Sequence, residues 1–132
     1  MARYEFLNLN PLNEIEEDCV CRAISLALEE DYELIKRKLE LVAELFECEM
    51  LCQCCYRFLL DSVYDLQRVE DLKGIKIRDF VDCNPYGTYL IRIEGHLTCI
   101  VDGTLFDLWD CLDEKIDILW KVCWQNKIFE YN

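Results

Sequence analysis

Apolar residues recur at every second position in three short stretches, TYLIRI (88–93), HLTCIV (96–101) and TLFDLW (104–109). That is the period of half-buried strands. Glu94-Gly95 and Asp102-Gly103 separate them, and glycine accepts the positive φ that a tight hairpin turn requires. Gly87–Cys111 is therefore predicted to be a three-stranded meander, and the rest of the chain is organised around it. With Asp102 and Gly103 as the loop, Val101 pairs with Thr104, Thr98 with Asp107 and His96 with Trp109. His96, Thr98 and Ile100 then share a face with Leu105, Asp107 and Trp109. Leu97, Cys99 and Val101 share the other face with Thr104, Phe106 and Leu108, and this apolar face is expected to be the one on the core.

Upstream the period changes. Val20, Ala23, Ile24, Ala27 and Leu28 form a stripe at helical spacing, which predicts a helix over Cys19–Leu28 with Asp18 as its N-cap. A second helix is expected from Tyr32 to Cys48, with Leu34, Ile35, Leu39, Val42, Leu45 and Phe46 inward, and a third over Glu49–Leu60. Tyr4–Leu9 alternates loosely, as an edge strand would, and Asn10-Pro11 ends it. Val63–Val69 is ambiguous, with a strand among its readings. Lys73-Gly74 breaks the pattern, Ile77–Val81 reads as a short helix, and Asn84-Pro85-Tyr86-Gly87 as a turn. Leu119–Trp124 closes the chain as a strand or short helix. Helices followed by an antiparallel meander make the class α+β, with N-terminal helices packed on a small antiparallel sheet. Nothing divides the 132 residues, which form a single domain over 1–132.

Composition narrows the function. The formal net charge of −13 disfavours nucleic acid and anionic membrane surfaces, which are bound through Lys and Arg. No apolar run reaches membrane-spanning length, and MARYEFLNLN lacks the flank of a secretory signal. The ten cysteines are accordingly read as reduced thiols of a cytoplasmic protein rather than a disulfide framework.

One histidine occurs in the chain, His96. The register places Asp107 on the diagonal of the neighbouring strand, within reach of its ring. Asp110 falls on the opposite face and is the alternative acid. A histidine oriented by a carboxylate is half of a nucleophile-activating device. Cys19 supplies a thiol at a helix start, where the helix dipole favours a thiolate. Glu14, Glu16, Glu17 and Asp18 oppose that, so a histidinium beside the sulfur is required. The order of cysteine at a helix start, histidine at a later strand and aspartate on the next strand is that of a papain-like catalytic unit.

Asn10-Pro11, Asp18-Cys19-Val20-Cys21-Arg22-Ala23-Ile24, Asn84-Pro85-Tyr86-Gly87-Thr88-Tyr89, the run Gly95–Gly103 and Phe106-Asp107-Leu108-Trp109-Asp110 resemble a group of small proteins of bacteriophages and gut bacteria. That group is assigned a papain-like fold and is distantly similar to the cysteine peptidases that trim bacteriocin leaders. The resemblance covers the first helix and the meander, less than half of the chain. It implies a peptidase or amidase with Cys19, His96 and one of the two downstream aspartates as catalytic residues, a protein or peptide substrate, no cofactor, and a host cytoplasm or virion location. Papain-like peptidases place a Gln before the cysteine to bind the oxyanion. None precedes Cys19 here, and Asn13 and Asn10 are the candidates for that role. Two rival readings use the same fold: a non-enzymatic module, either a virion component or an acidic inhibitor of a host protein partner, and an acyl- or glutamyl-transferase.

Cys52-Gln53-Cys54-Cys55 contains a C-x-x-C spacing, with Cys48 one turn earlier. Lacking a second such pair or a second histidine, it is read as a buried, cysteine-rich helix face and not a metal or redox centre. Arg22 is expected to hold a buried carboxylate or offset the acidic run. Glu29-Glu30-Asp31 and Asp113-Glu114 read as solvated surface.

Overall fold

A computed structural model describes residues 1–123. Its class is α+β, with strands β1 (Arg3–Phe6), β2 (Gln67–Arg68), β3 (Thr88–Ile93), β4 (His96–Val101), β5 (Thr104–Asp107) and β6 (Ile118–Val122) in one sheet of order β1-β5-β4-β3-β6-β2. All neighbours are antiparallel except β1 and β5. The helices are α1 (Cys19–Leu28), α2 (Tyr32–Phe46), α3 (Gln53–Phe58), which continues into a π turn over Leu59–Val63, and α4 (Ile77–Cys83). No described helix is long and apolar enough to cross a membrane.

The meander forms in the expected register, with Ile93 opposite His96 and Val101 opposite Thr104. Asp102 and Gly103 both take left-handed φ, 46° and 82°, as a two-residue turn matched to strand twist demands. The Asp102 side chain accepts from the Gly87 N–H at 2.9 Å, tying the turn to the start of β3.

The burial differs from the expectation of one core face. Leu90, Leu97, Cys99, Trp120 and Val122 pack under α1, α2, α3 and the π turn. Tyr89, Ile91, Ile93, Ile100 and Leu105 pack on the other side against Ile77, Phe80 and Val81 of α4 and against Cys111, Leu112 and Ile116. Central strands flanked by further strands lose their polar alternation because both faces are covered. The molecule is thus three layers: helices, sheet, and a thin layer of α4 with the segment after β5.

α2 ends at Phe46, where Glu47 turns the chain with φ 55°. Leu34, Leu45 and Phe46 are exposed, not inward, because the buried stripe is Tyr32, Ile35, Leu39, Val42 and Ala43. The third helix starts four residues later than Glu49, and the ambiguous stretch resolves into the two-residue β2. Glu30 is also buried, its carboxylate 2.8 Å from the Lys38 ammonium. The final strand is β6; the part of that expectation falling on Trp124 lies outside the described residues.

Candidate active site

α1 begins at Cys19 because the apolar stripe begins there, while Glu14, Glu16 and Glu17 just before it stay exposed. Its first residue therefore sits where the sheet surface ends, beside the start of β4. That is where His96 stands, one residue after the Gly95 turn. Cys19, His96 and Leu97 line one cleft, and the His96 ring and the Leu97 backbone are close enough to the Cys19 thiol to pull its pKa down. The His96 Nε2 lies 2.6 Å from Asp107 Oδ2. With Nε2 committed to the carboxylate, Nδ1 is the ring nitrogen left for the sulfur. The three residues named from the sequence converge.

Their electrostatics suit a thiolate facing an imidazolium. Burial opposes ionisation of Cys19, yet the hydrogen bonds from His96 and Leu97 and the charges of His96 and Arg22 hold the thiol below its ordinary value. Burial likewise disfavours the His96 cation, but its hydrogen bonds to Asp107 and Cys19 outweigh that and raise the imidazole to about 9. Asp107 is desolvated too, and its contact with His96 more than compensates, lowering its pKa. The ring pushed up and the thiol pulled down by one another is the signature of an activated nucleophile.

Behind these three residues runs a buried polar chain. Asp107 Oδ1 accepts from Arg22 Nη1 at 3.2 Å and from the Leu108 N–H at 2.7 Å. Arg22 Nε donates to Asp18 Oδ1 at 2.7 Å, and Asp18 Oδ2 accepts from Tyr32 Oη at 2.7 Å and Asn10 Nδ2 at 3.0 Å. Asp18, Arg22 and Asp107 are all buried, where an unpaired charge is costly. Asp18 occupies the cap position of α1, but its side chain makes no capping bond; it is spent on Arg22 and Tyr32 instead. Tyr32 and Asn10 were not foreseen in this network. Only the pairing of Asp18 and Arg22 at i, i+4 could have hinted at it.

The sulfur opens into a cleft of about 580 Å³ whose walls include Glu16, Glu17, Gln53, Tyr56, Arg92 and Trp109, a volume within the ordinary range for ligand sites. Trp109 packs on the imidazole with ring centroids 5.4 Å apart while staying partly exposed, so it shelters one side of the histidine–aspartate contact. Arg92 donates to Tyr56 Oη at 2.8 Å, which fixes both on the cleft wall.

Asp110 does not serve the histidine. It is exposed, and its carboxylate accepts from the Leu112 N–H at 3.0 Å, because the chain leaves the sheet after Asp107. Neither asparagine is free to bind an oxyanion. The Asn10 amide donates to Glu16 Oε1 at 2.7 Å and to Asp18, which uses both of its protons. Asn13 is exposed in a left-handed turn and does not line the cleft. Among the donors there are the first N–H groups of α1, which have no intrahelical acceptor, and the amide of Gln53. Gln53 lies far along the chain from Cys19, and no sequence period singles it out.

His96, Asp107 and the buried Cys111 lie close enough to share a cation. The donor set argues against one. Arg22 already occupies Asp107, and burial with the adjacent Asp107 charge pushes the Cys111 thiol up to about 12. The cysteine-rich segment is not the buried helix face expected: Cys54 is exposed, Cys48 and Cys52 are half-buried, and only Cys55 is enclosed. The reason is that α3 starts only at Gln53, so Cys48 and Cys52 sit in the connection before it and Cys54 in its exposed first turn. No family model, curated protein or solved structure matches the chain.

Proposed function

We propose that the chain is a papain-like cysteine hydrolase acting on an amide or peptide bond. The observation that carries this reading is the contact of the Cys19 thiol with the His96 ring while Asp107 grips the far side of the same ring. A helix that presents its cysteine against a mainly antiparallel sheet that presents its histidine supports the papain-like assignment of the α+β fold.

In this mechanism the Cys19 thiolate attacks the substrate carbonyl, forming the C–S bond as electrons move onto the carbonyl oxygen. The oxyanion is met by N–H groups at the start of α1 and by Gln53. The tetrahedral intermediate collapses, the C–N bond breaks, and His96 gives its proton to the leaving amine. Water, deprotonated by His96, then releases the acyl group and regenerates the thiol. Asp107 holds the imidazole in one orientation and stabilises its cation, and Arg22 keeps Asp107 ionised and fixed. Glu16 and Glu17 at the cleft favour a substrate with a basic group nearby, while Trp109 and Leu51 offer apolar contact.

The test is acylation by an activated ester, followed by intact mass. One acyl group on Cys19, lost to water with time and absent in Cys19→Ala and His96→Ala, is expected. Acyl groups spread over several cysteines, or a Cys19 adduct that forms equally without His96, contradict the proposal. Release accelerated by added amines would mark the transferase variant of the same chemistry.

A non-enzymatic binding module on the same scaffold is the second reading. What favours it is the unpartnered face of α2, where Leu34, Leu41 and Leu45 lie exposed at helical spacing. A stoichiometric complex indifferent to Cys19→Ala would distinguish it.

A further inference from the structure

The connection from α2 to α3 gathers sulfur. After α2, Glu47 takes a left-handed φ of 55° and folds the chain back, so that Cys48 meets the start of α3. Cys48 Sγ then lies 3.3 Å from Cys54 Sγ and 3.2 Å from Cys55 Sγ. Cys52 Sγ lies 2.9 Å from Cys54 Sγ. Sulfurs from Cys48, Cys54 and Cys55 thus converge mutually, with a fourth touching the group from the side.

We propose that Cys48, Cys52, Cys54 and Cys55 form a thiolate site for a soft d10 divalent cation, Zn²⁺. Two residues could satisfy each other as a disulfide, but the contacts here are shared among more than one pair, and Cys48 touches two partners. The separations are well beyond a sulfur–sulfur bond of about 2.05 Å. A tetrahedral zinc with bonds of about 2.3 Å holds its sulfurs about 3.8 Å apart. The site therefore needs only a small opening of the contacts and a turn of the Cys52 side chain. The backbone that would hold it is already built: Cys52 N donates to Glu49 O and Cys55 N to Cys52 O, both at 3.0 Å. Exposure of Cys54 leaves an entry path, and the exposed Glu44, Glu47 and Glu49 beside it favour an incoming cation.

Proton balance follows directly. Each thiol that binds gives its proton to solvent, and nothing is oxidised or reduced. Affinity therefore rises with pH. The site also has a consequence for the cleft. Leu51 and Gln53, interleaved with these cysteines, line the same cleft as Cys19, and a bound ion would fix that part of its wall in place.

The test is anaerobic titration of the reduced full chain with Co²⁺, then Zn²⁺. One equivalent of Co²⁺ should give thiolate-to-metal charge-transfer absorption and the visible bands of a tetrahedral site, and Zn²⁺ should abolish both. Cys48→Ser/Cys54→Ser, which changes only accessible positions, should lose the charge-transfer signal while far-ultraviolet circular dichroism stays native. Cys19→Ser should retain it, which separates this site from the hydrolase reading. A spectrum without thiolate absorption, one unchanged in the double variant, or one lost in Cys19→Ser overturns the proposal. As a second measurement that needs no variant, Zn²⁺ should shield Cys48, Cys52, Cys54 and Cys55 from alkylation; unaltered labelling at these four overturns it equally.

Discussion

Cys19, which lines the cleft, and the cysteine cluster at the start of α3 differ in what each sulfur faces. Cys19 faces an imidazole that is itself held by a carboxylate, and its pKa falls although burial works against it. Cys48 faces other thiols: its hydrogen bond with Cys55 outweighs one from Cys54, and its pKa rises although it is only half-buried. Exposure does not make a cysteine a nucleophile; a cationic partner does. Cys21 sharpens the point. It lies on the same helix two residues from Cys19, and burial, with the Asp18 charge, pushes it up to about 12. The same element thus carries one thiol with a lowered pKa and one with a raised pKa, according to whether the side chain meets His96 or the hydrophobic core.

The comparison can be broken most forcefully at Arg22, which underlies the first group and has no counterpart in the second. Arg22→Met strands the buried Asp18 and Asp107 carboxylates and should cost about 3–5 kcal/mol in urea unfolding. Both carboxylates have folded-state pKa values below their unfolded ones. Their contribution is therefore complete above about pH 4 and is lost as pH falls through the folded values. Wild-type stability should drop on that acid limb, and the variant should lack much of the drop. Next in size is Tyr32→Phe, which removes a hydrogen bond to the buried Asp18 carboxylate; a loss of about 1.5–3 kcal/mol is expected by the same measurement. Asp107→Asn should then lower the neutral-pH alkylation rate of Cys19 about tenfold, the effect of roughly one pKa unit on its partner, with Cys48 and Cys54 labelled as before. The smallest effect belongs to Cys54→Ser. This exposed change should leave stability within about 0.5 kcal/mol in the absence of metal and Cys19 reactivity unaltered.

His96 has the opposite sign from the carboxylates. Its pKa is raised to about 9, so the stabilisation it brings is complete below about pH 6.5 and fades as pH rises through 9. Unfolding measured across that interval should show a loss in wild type that His96→Ala abolishes.

Much of this arrangement was legible before any coordinates. The meander declared itself because alternation and two glycine turns act within a dozen residues, and turn geometry then set the register that brought Asp107 to His96. The start of α1 was legible because an acidic run meets an apolar stripe there. What escaped was set by tertiary contacts. Asn10 reads as an oxyanion donor until Glu16 and Asp18 fold back onto its amide. The second buried face of β4 depends on α4, which no local pattern docks to that side. Gln53 reaches the cleft, and the four cysteines meet, only because Glu47 reverses the chain after α2. Asp110 went astray for a simpler reason: alternation continues on paper after Asp107, whereas the strand ends there.

The most direct measurement is the rate of Cys19 alkylation as a function of pH, read residue by residue by mass spectrometry in the native protein and in His96→Ala. The account predicts that Cys19 reacts with a midpoint below that of an ordinary thiol, ahead of Cys48, and that removing His96 lifts that midpoint. A native Cys19 that titrates at 9 or higher, or one whose profile is the same with and without His96, would contradict it.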